Sequence, residues 1–416
     1  MSDQTPETSA AAGPLAMFNF ASPDNPYALF SQLRERGAVV QVAPGSTAGA
    51  SATWVVTQLE EAVQVFKDRR FTVEAAAINP DAGMYGESRQ GGAEELSFFG
   101  AKSLTTVDGA DHARLRGLVS QTFTPRYIES LRPNIQQIAD ELLDQAQARG
   151  TMDLVHDFGY PLPINVISDM LGVPKHERER LMHASQTLTS GIMDPSDQGP
   201  GKLREFAAHI VELVADKRQH PGDDLISQLI DTHAAGDRLD QQELLAMIGL
   251  LIFAGHETTA NLISTGMLML LDHPEQLARL RADLSLVPAA VEELLRLNGP
   301  VLIPSPRFAL EDLTLSGQQL RRGDAVIVAI GAANHDPTAF SDPEELDIAR
   351  TLSRHVAFGQ GVHFCLGAPL ARLEGEIAFT TLLRRLPDLR LNAPRASLSW
   401  RGSVSMRGLT TLPVAF

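Results

Sequence analysis

The chain holds a single cysteine, Cys365, and its neighbours are unusual: Phe358-Gly359-Gln360-Gly361-Val362-His363-Phe364-Cys365-Leu366-Gly367. A lone cysteine can serve as ligand, nucleophile or plain buried hydrophobe. Three glycines around it let the backbone turn sharply and approach a flat partner closely. Loop N–H groups aimed at sulfur, and the positive end of a helix starting near Leu366, would both stabilise a thiolate. One cysteine also means no internal disulfide, so the fold does not depend on oxidation.

A second group is Ala254-Gly255-His256-Glu257-Thr258-Thr259, inside an apolar helical run. A charge there is costly without a partner or a task. Ala254 and Thr258 are four apart and share a face. Thr258 can bond back to the previous turn, and Gly255 permits a local bend. The expected result is a groove with a hydroxyl at its edge and a carboxylate nearby. Two further pairs sit at helical spacing: Glu293 with Arg296, and His112 with Arg116.

The cysteine segment resembles the ligand loop of the cytochrome P-450 family, in which a cysteine thiolate binds haem iron and favours O–O cleavage. The resemblance runs from about Asn25 to the end of the chain and includes Asp68-Arg69-Arg70-Phe71, Ala333-Asn334-His335-Asp336-Pro337 and Gly-Ala-Pro-Leu-Ala-Arg-Leu-Glu after Cys365. It implies haem b (iron protoporphyrin IX) as cofactor and Cys365 as the metal ligand. Phe358, Gly359, Gly367 and Ala254 would lie against the haem, and His112, Arg116, Arg307 and His363 would hold its propionates. Glu257 and Thr258 would be the acid–alcohol pair that delivers protons. Glu293 and Arg296 would anchor the loop before the cysteine. The family's third partner there is usually an arginine, but this chain has Glu345, followed by Leu346 where phenylalanine is usual; Arg350 is the candidate replacement. The nearest likeness is to bacterial macrolide- and polyketide-tailoring members.

The elements that must position these residues are mostly helices. Helical periodicity predicts helices from Asn25-Pro26 to Leu33 and over 60–67, 112–122, 127–149, 161–172, 176–191, 202–218, 223–233, 240–272 and 286–297, with one more from Cys365 to about Arg385. β-branched stretches at 38–41, 52–57 and 325–328 predict a small sheet. Residues 73–104 read as a long irregular loop, and 194–201 as a break between two helices. The expected fold is mainly α with a minor β part: one large domain over 17–416 with a buried haem, after a disordered tail over 1–16. Hydrophobic residues make up 44% of 416, enough for a large core.

A net charge of −16 disfavours nucleic acid and anionic membrane surfaces as partners. The apolar run Leu244 to Gly255 is too short to span a bilayer, and no targeting segment is recognisable. We expect a cytoplasmic monomer.

By the family's pattern, the substrate pocket would be lined by Phe98, Phe99, Leu188, Ile192, Met193, Val301, Leu302 and Ile303. All are apolar, which suits a hydrophobic small molecule such as a polyketide, macrolide or terpenoid. No flavin or nicotinamide motif is present, so electrons would come from separate proteins, which the resemblance implies are a ferredoxin and its reductase. Arg114, Arg354 and Arg372 are the candidate basic contacts.

The expected function is oxygen insertion from O2, by hydroxylation or epoxidation. The alternative is a non-catalytic haem carrier or sensor, against which Glu257 and Thr258 argue. A cysteine hydrolase using His363 is disfavoured because two residues of separation cannot easily form a supported nucleophile–base pair.

Overall fold

A computed structural model describes residues 25–42, 50, 52–78, 102–193, 199–234, 239–351, 354–402 and 405–416. The expected tail over 1–16 lies outside them.

The central helix, Gln241–Asp272, organises the molecule. Asp240 and Glu243 close a reciprocal capping box at its start. Arg114 adds a bidentate pair to Glu243 at 2.6 and 3.0 Å, tying the helix Gly109–Ser120 to the same corner. Pro274 follows His273 and opens the next helix, Pro274–Ala282, which the periodicity had not predicted. The central helix is long and apolar enough to cross a membrane, but 72% of its most apolar stretch is buried inside the fold, so it is a core helix. Around it pack Pro161–Leu171, Val287–Asn298 and Ala368–Arg385. Their leucines, isoleucines and valines form one continuous core, each fully buried side chain contributing about 1.5–3 kcal/mol.

Two local departures from periodicity matter. The predicted helix over 127–149 is two helices, Pro125–Ser130 and Arg132–Gln147. Pro133 has no N–H and would clash with the carbonyl four residues back, so it restarts the helix. A π-helical turn, Val155–Gly159, precedes Tyr160. Gly159 there lies so close to the central helix that a Cβ would sit 2.6 Å from Ser264 Oγ.

The minor β part is a five-stranded sheet in the order Val39–Val42, Thr53–Val56, Ala325–Val328, Arg307–Ala309, Phe71–Thr72. Val39↔Val56 and Thr53↔Ala325 set the register of its first three strands, the second pairing being parallel. Smaller pairings close the C-terminal part, including Trp400–Gly402 with Arg407–Leu409. The sheet covers a second core cluster, and the first helix, Pro26–Arg36, covers a third through Phe30 and Leu33.

Candidate active site

The cysteine loop is a short turn laid on the helix Leu59–Lys67. Gly359 and Gly361 have φ of +68° and +74°, where side chains are strained. At Gly361 a Cβ would also sit 2.4 Å from the Phe66 carbonyl oxygen, so only glycine fits. The Cys365 N–H donates to Phe358 O at 3.0 Å and closes the loop. The sulfur accepts from the N–H groups of Gly367 and Ala368, where the helix Ala368–Arg385 begins. Although protein surrounds it on most sides, Cys365 has an exposed face, as a residue bordering an internal cleft does. Burial pushes its thiol up; the two N–H bonds, Arg116 and Arg372 pull the other way. Coordination to a metal would deprotonate it outright.

The expected cations gather beside this loop, and three lack anionic partners. His112 is 5% exposed with no partner for Nε2. Burial, with the charges of His363 and Arg116, pushes its pKa down. Arg307 is buried over the Phe66 ring, 4.6 Å from its centroid, with no hydrogen bond or ion pair among the described residues. Its burial lowers its pKa to about 10. Arg116 is half-buried, and its pKa is lowered by burial against the pull of Cys365. Desolvated cations and an orphaned ring nitrogen next to a thiol fit the two carboxylates of haem b, since unpaired buried charge is costly.

His363 behaves differently from expectation. Its Nε2 lies 2.7 Å from Asp108 Oδ1 and its Nδ1 3.2 Å from Leu104 O. Both nitrogens are engaged within the protein, and its ring packs 4.3 Å from that of His112.

The middle of the central helix carries an uncovered stripe. Ala254 is exposed and Leu250, Phe253 and Thr258 are half-buried, in a helix otherwise mostly enclosed. Thr258 Oγ1 donates to Ala254 O at 3.0 Å, the back-bond expected from their spacing. His256 is fully buried, donates from Nδ1 to Ile252 O at 3.0 Å, and has its pKa lowered to about 4 by burial. Glu257 is also fully buried. Tyr160 Oη lies 2.9 Å from both of its oxygens. Arg401 Nη1 is 2.8 Å from Oε1, and Asn261 Nδ2 donates to the same oxygen at 3.4 Å. Arg401 also donates to Asn261 Oδ1 at 3.0 Å and covers the Tyr160 ring at 4.9 Å. Burial pushes the Glu257 carboxyl up to about 7, against the Asn261 hydrogen bond; the Arg401 guanidinium adds a pull toward the charged form. Arg401, a quarter exposed, is the member of this cluster that reaches solvent.

Sequence reasoning missed Tyr160, Arg401 and Asp108. Asn261, four residues after Glu257, was legible in principle. Tyr160 and Arg401 come from other elements, and nothing local marks them.

The anchor network is complete. Arg296 pairs with Glu293 at 2.7 and 2.8 Å, and both side chains are fully buried. Arg296 also donates to the carbonyls of Asn334, Pro343 and Glu345. Arg350 Nε reaches Glu293 Oε1 at 3.0 Å, and its Nη groups take the carbonyls of Ser341, Asp342 and Glu345. Arg350 therefore supplies the third partner, and Glu345 contributes only backbone. Asn334 Oδ1 accepts from Val356 N, carrying the network to the cysteine loop.

The expected substrate-pocket residues are only partly described. Phe98 and Phe99 lie outside the described residues. Leu188, Ile192 and Met193 fall on the helix Arg178–Met193, with side chains outside the described set. Val301 is half-buried and bridges Met406, but Leu302 and Ile303 pack into the core under the first helix, with Phe30 and Ile327. Of the basic contacts, Arg114 is held by Glu243, and Arg372 is held by Glu292 at 2.6 and 2.9 Å while covering Phe358. Arg354 is exposed, with no ion pair among the described residues.

A thiol at the mouth of a helix, partnerless cations for a dianion, and an alcohol on an opened core helix together define a thiolate-ligated haem enzyme. The family model for Cytochrome P450 matches residues 16–387. Cytochrome P450 CYP107DY1 of Priestia megaterium is 46% identical over 374 residues, covering 88% of this chain and 90% of that protein. The polyketide biosynthesis cytochrome P450 PksS of Bacillus subtilis is 39% identical, covering 94% and 96%. A crystal structure of the myxobacterial cytochrome P450 CYP267B1 with myristic acid superposes with a TM-score of 0.85 at 37% identity, covering 96% and 98%. The chain belongs to the cytochrome P450 family. It is a haem b monooxygenase, and the carrier or sensor alternative is not favoured. The hydrolase reading fails on geometry as well, because both nitrogens of His363 are taken by other groups.

Proposed function

We propose that this monooxygenase hydroxylates or epoxidises a hydrophobic natural product of the polyketide, macrolide or terpenoid kind. The observation that carries it is the opened stripe of the central helix, where the apolar Leu250, Phe253 and Ala254 surround one hydroxyl, Thr258. Such a wall can exclude water and hold an apolar molecule, with little to recognise a charge. PksS, by its name, acts in polyketide biosynthesis.

Haem b, when bound, supplies the iron at which dioxygen is activated. Cys365 Sγ would be its protein ligand. Arg116 and Arg307 would neutralise its carboxylates and His112 would offer them its ring nitrogen, with His363 supporting His112. Ala254, Phe358, Gly359 and Gly367 would border its faces. Thr258 Oγ1 presents a hydroxyl at the stripe, and Glu257 stores the proton that reaches it. Electrons would come from a separate ferredoxin and its reductase, with Arg354 as the basic contact the geometry leaves available. We place the enzyme in the cytoplasm as a monomer.

The test is a binding panel read by the Soret shift, followed by turnover with a surrogate ferredoxin and reductase. Macrolides, polyketides or terpenoids should bind and give products one oxygen atom heavier. Preference for small charged molecules would overturn the reading.

A further inference from the structure

We propose that Asp108 is the positioning residue of the cofactor corner: one carboxylate fastens the Cys365 loop to the helix carrying His112 and Arg116. This rests on the reading of the site as a haem site.

Asp108 stands at the N-cap of the helix Gly109–Ser120 yet makes no side-chain cap bond to it. An aspartate there ordinarily accepts from its own helix's first turn. Here the carboxylate turns outward. Oδ2 accepts from Thr72 Oγ1 at 2.7 Å and from Val73 N at 2.8 Å. Oδ1 faces His363 Nε2 at 2.7 Å. Asp108 N in turn donates to Glu74. Three segments distant in sequence thus meet on one side chain: the sheet edge at 72–74, the start of the His112 helix, and the cysteine loop at His363.

The consequence for the site is directional. With Nε2 on Asp108 and Nδ1 on Leu104 O, the His363 ring is fixed at both ends. That ring packs against His112, whose Nε2 is the buried atom left without a partner. Asp108 therefore sets the pose of His112 through His363 and holds the turn two residues before the ligand. Groups that orient ligating residues typically matter about 10–100-fold in affinity. Burial alone would raise the Asp108 carboxyl, but His363, Thr72 and Val73 outweigh it and hold it at about 2, so the clamp is charged across the working range.

The experiment follows haem transfer from purified holoenzyme to excess apomyoglobin, with unfolding midpoints measured alongside. Asp108→Asn should lose haem about tenfold to a hundredfold faster. Thr72→Val removes one donor but leaves the His363 arm intact; it should lower the midpoint without a comparable rise in haem loss. If Asp108→Asn does not accumulate as holoenzyme, Asp108→Glu, which keeps the charge but shifts it outward, should show the accelerated loss. Haem loss from both Asp108 variants within twofold of wild type, or an equal acceleration in Thr72→Val, would overturn the proposal. A wild-type protein that binds no haem would instead overturn the underlying reading.

Discussion

Glu257 is fully buried beside Tyr160, Arg401 and Asn261, and its upward titration follows from the burial, against the Asn261 hydrogen bond. Unfolded, it titrates near 4.5; folded, at about 7. The native state holds the proton more tightly, so this group's stabilising contribution is full below about pH 4.5 and is lost as pH rises through 7. If Glu257 supplies the proton that passes Thr258, product formed per electron consumed should fall as pH rises through about 7. Glu257→Gln should lower product formation about a hundredfold and abolish the inflection. Tyr160→Phe removes a hydrogen bond to the carboxylate and should move the inflection up by about one pH unit. Persistence of the wild-type profile in Glu257→Gln would contradict this role. The acid and its alcohol were legible in the sequence because they are adjacent and the alcohol lies four residues after the small Ala254. The groups that tune the acid were not, since Tyr160 is 97 positions away and aimed by a π-helical turn that no periodicity signals.

Among the elements, the cysteine loop and the Glu293 anchor are rigid for different reasons. The loop depends on backbone contact: Gly361→Ala would drive a methyl into the Phe66 carbonyl at a positive φ. Purified Gly361→Ala should carry much less haem per protein than wild type, whereas Gly117→Ala, with nothing within 4 Å, should match wild type. Equal haem content in both would contradict the close approach.

The anchor depends on buried charge. Breaking a fully buried pair costs about 3–5 kcal/mol, so Arg296→Ala should lower denaturant stability by that order. Arg350→Ala should cost about 1–3 kcal/mol, and no loss would deny it the third place in the network. That place was only half legible: the sequence shows that Glu345 cannot fill it and that Arg350 is nearby, but not that the turn at 342–347 brings Arg350 back onto Glu293. Helices with strong apolar stripes were also legible. The break at Pro133 was missed because the apolar spacing runs on through it, and Pro274–Ala282 because its burial rests on Leu277 and Leu280 alone.

For the molecule as a whole, the class and architecture were readable because the chemistry-bearing residues lie in short, distinctive segments and the long apolar helix must be a core element. The pocket was not. Leu302 and Ile303 look like lining in an apolar stretch, yet the strand pairing beyond them turns both onto the core under Phe30. The whole site depends on Cys365 acting as an iron-bound thiolate, held by the N–H groups of Gly367 and Ala368. The most direct measurement is the carbon monoxide difference spectrum of the dithionite-reduced protein. A strongly red-shifted Soret band is the predicted result. Absence of haem absorbance in protein made with ample haem, or a band without the red shift, would contradict it.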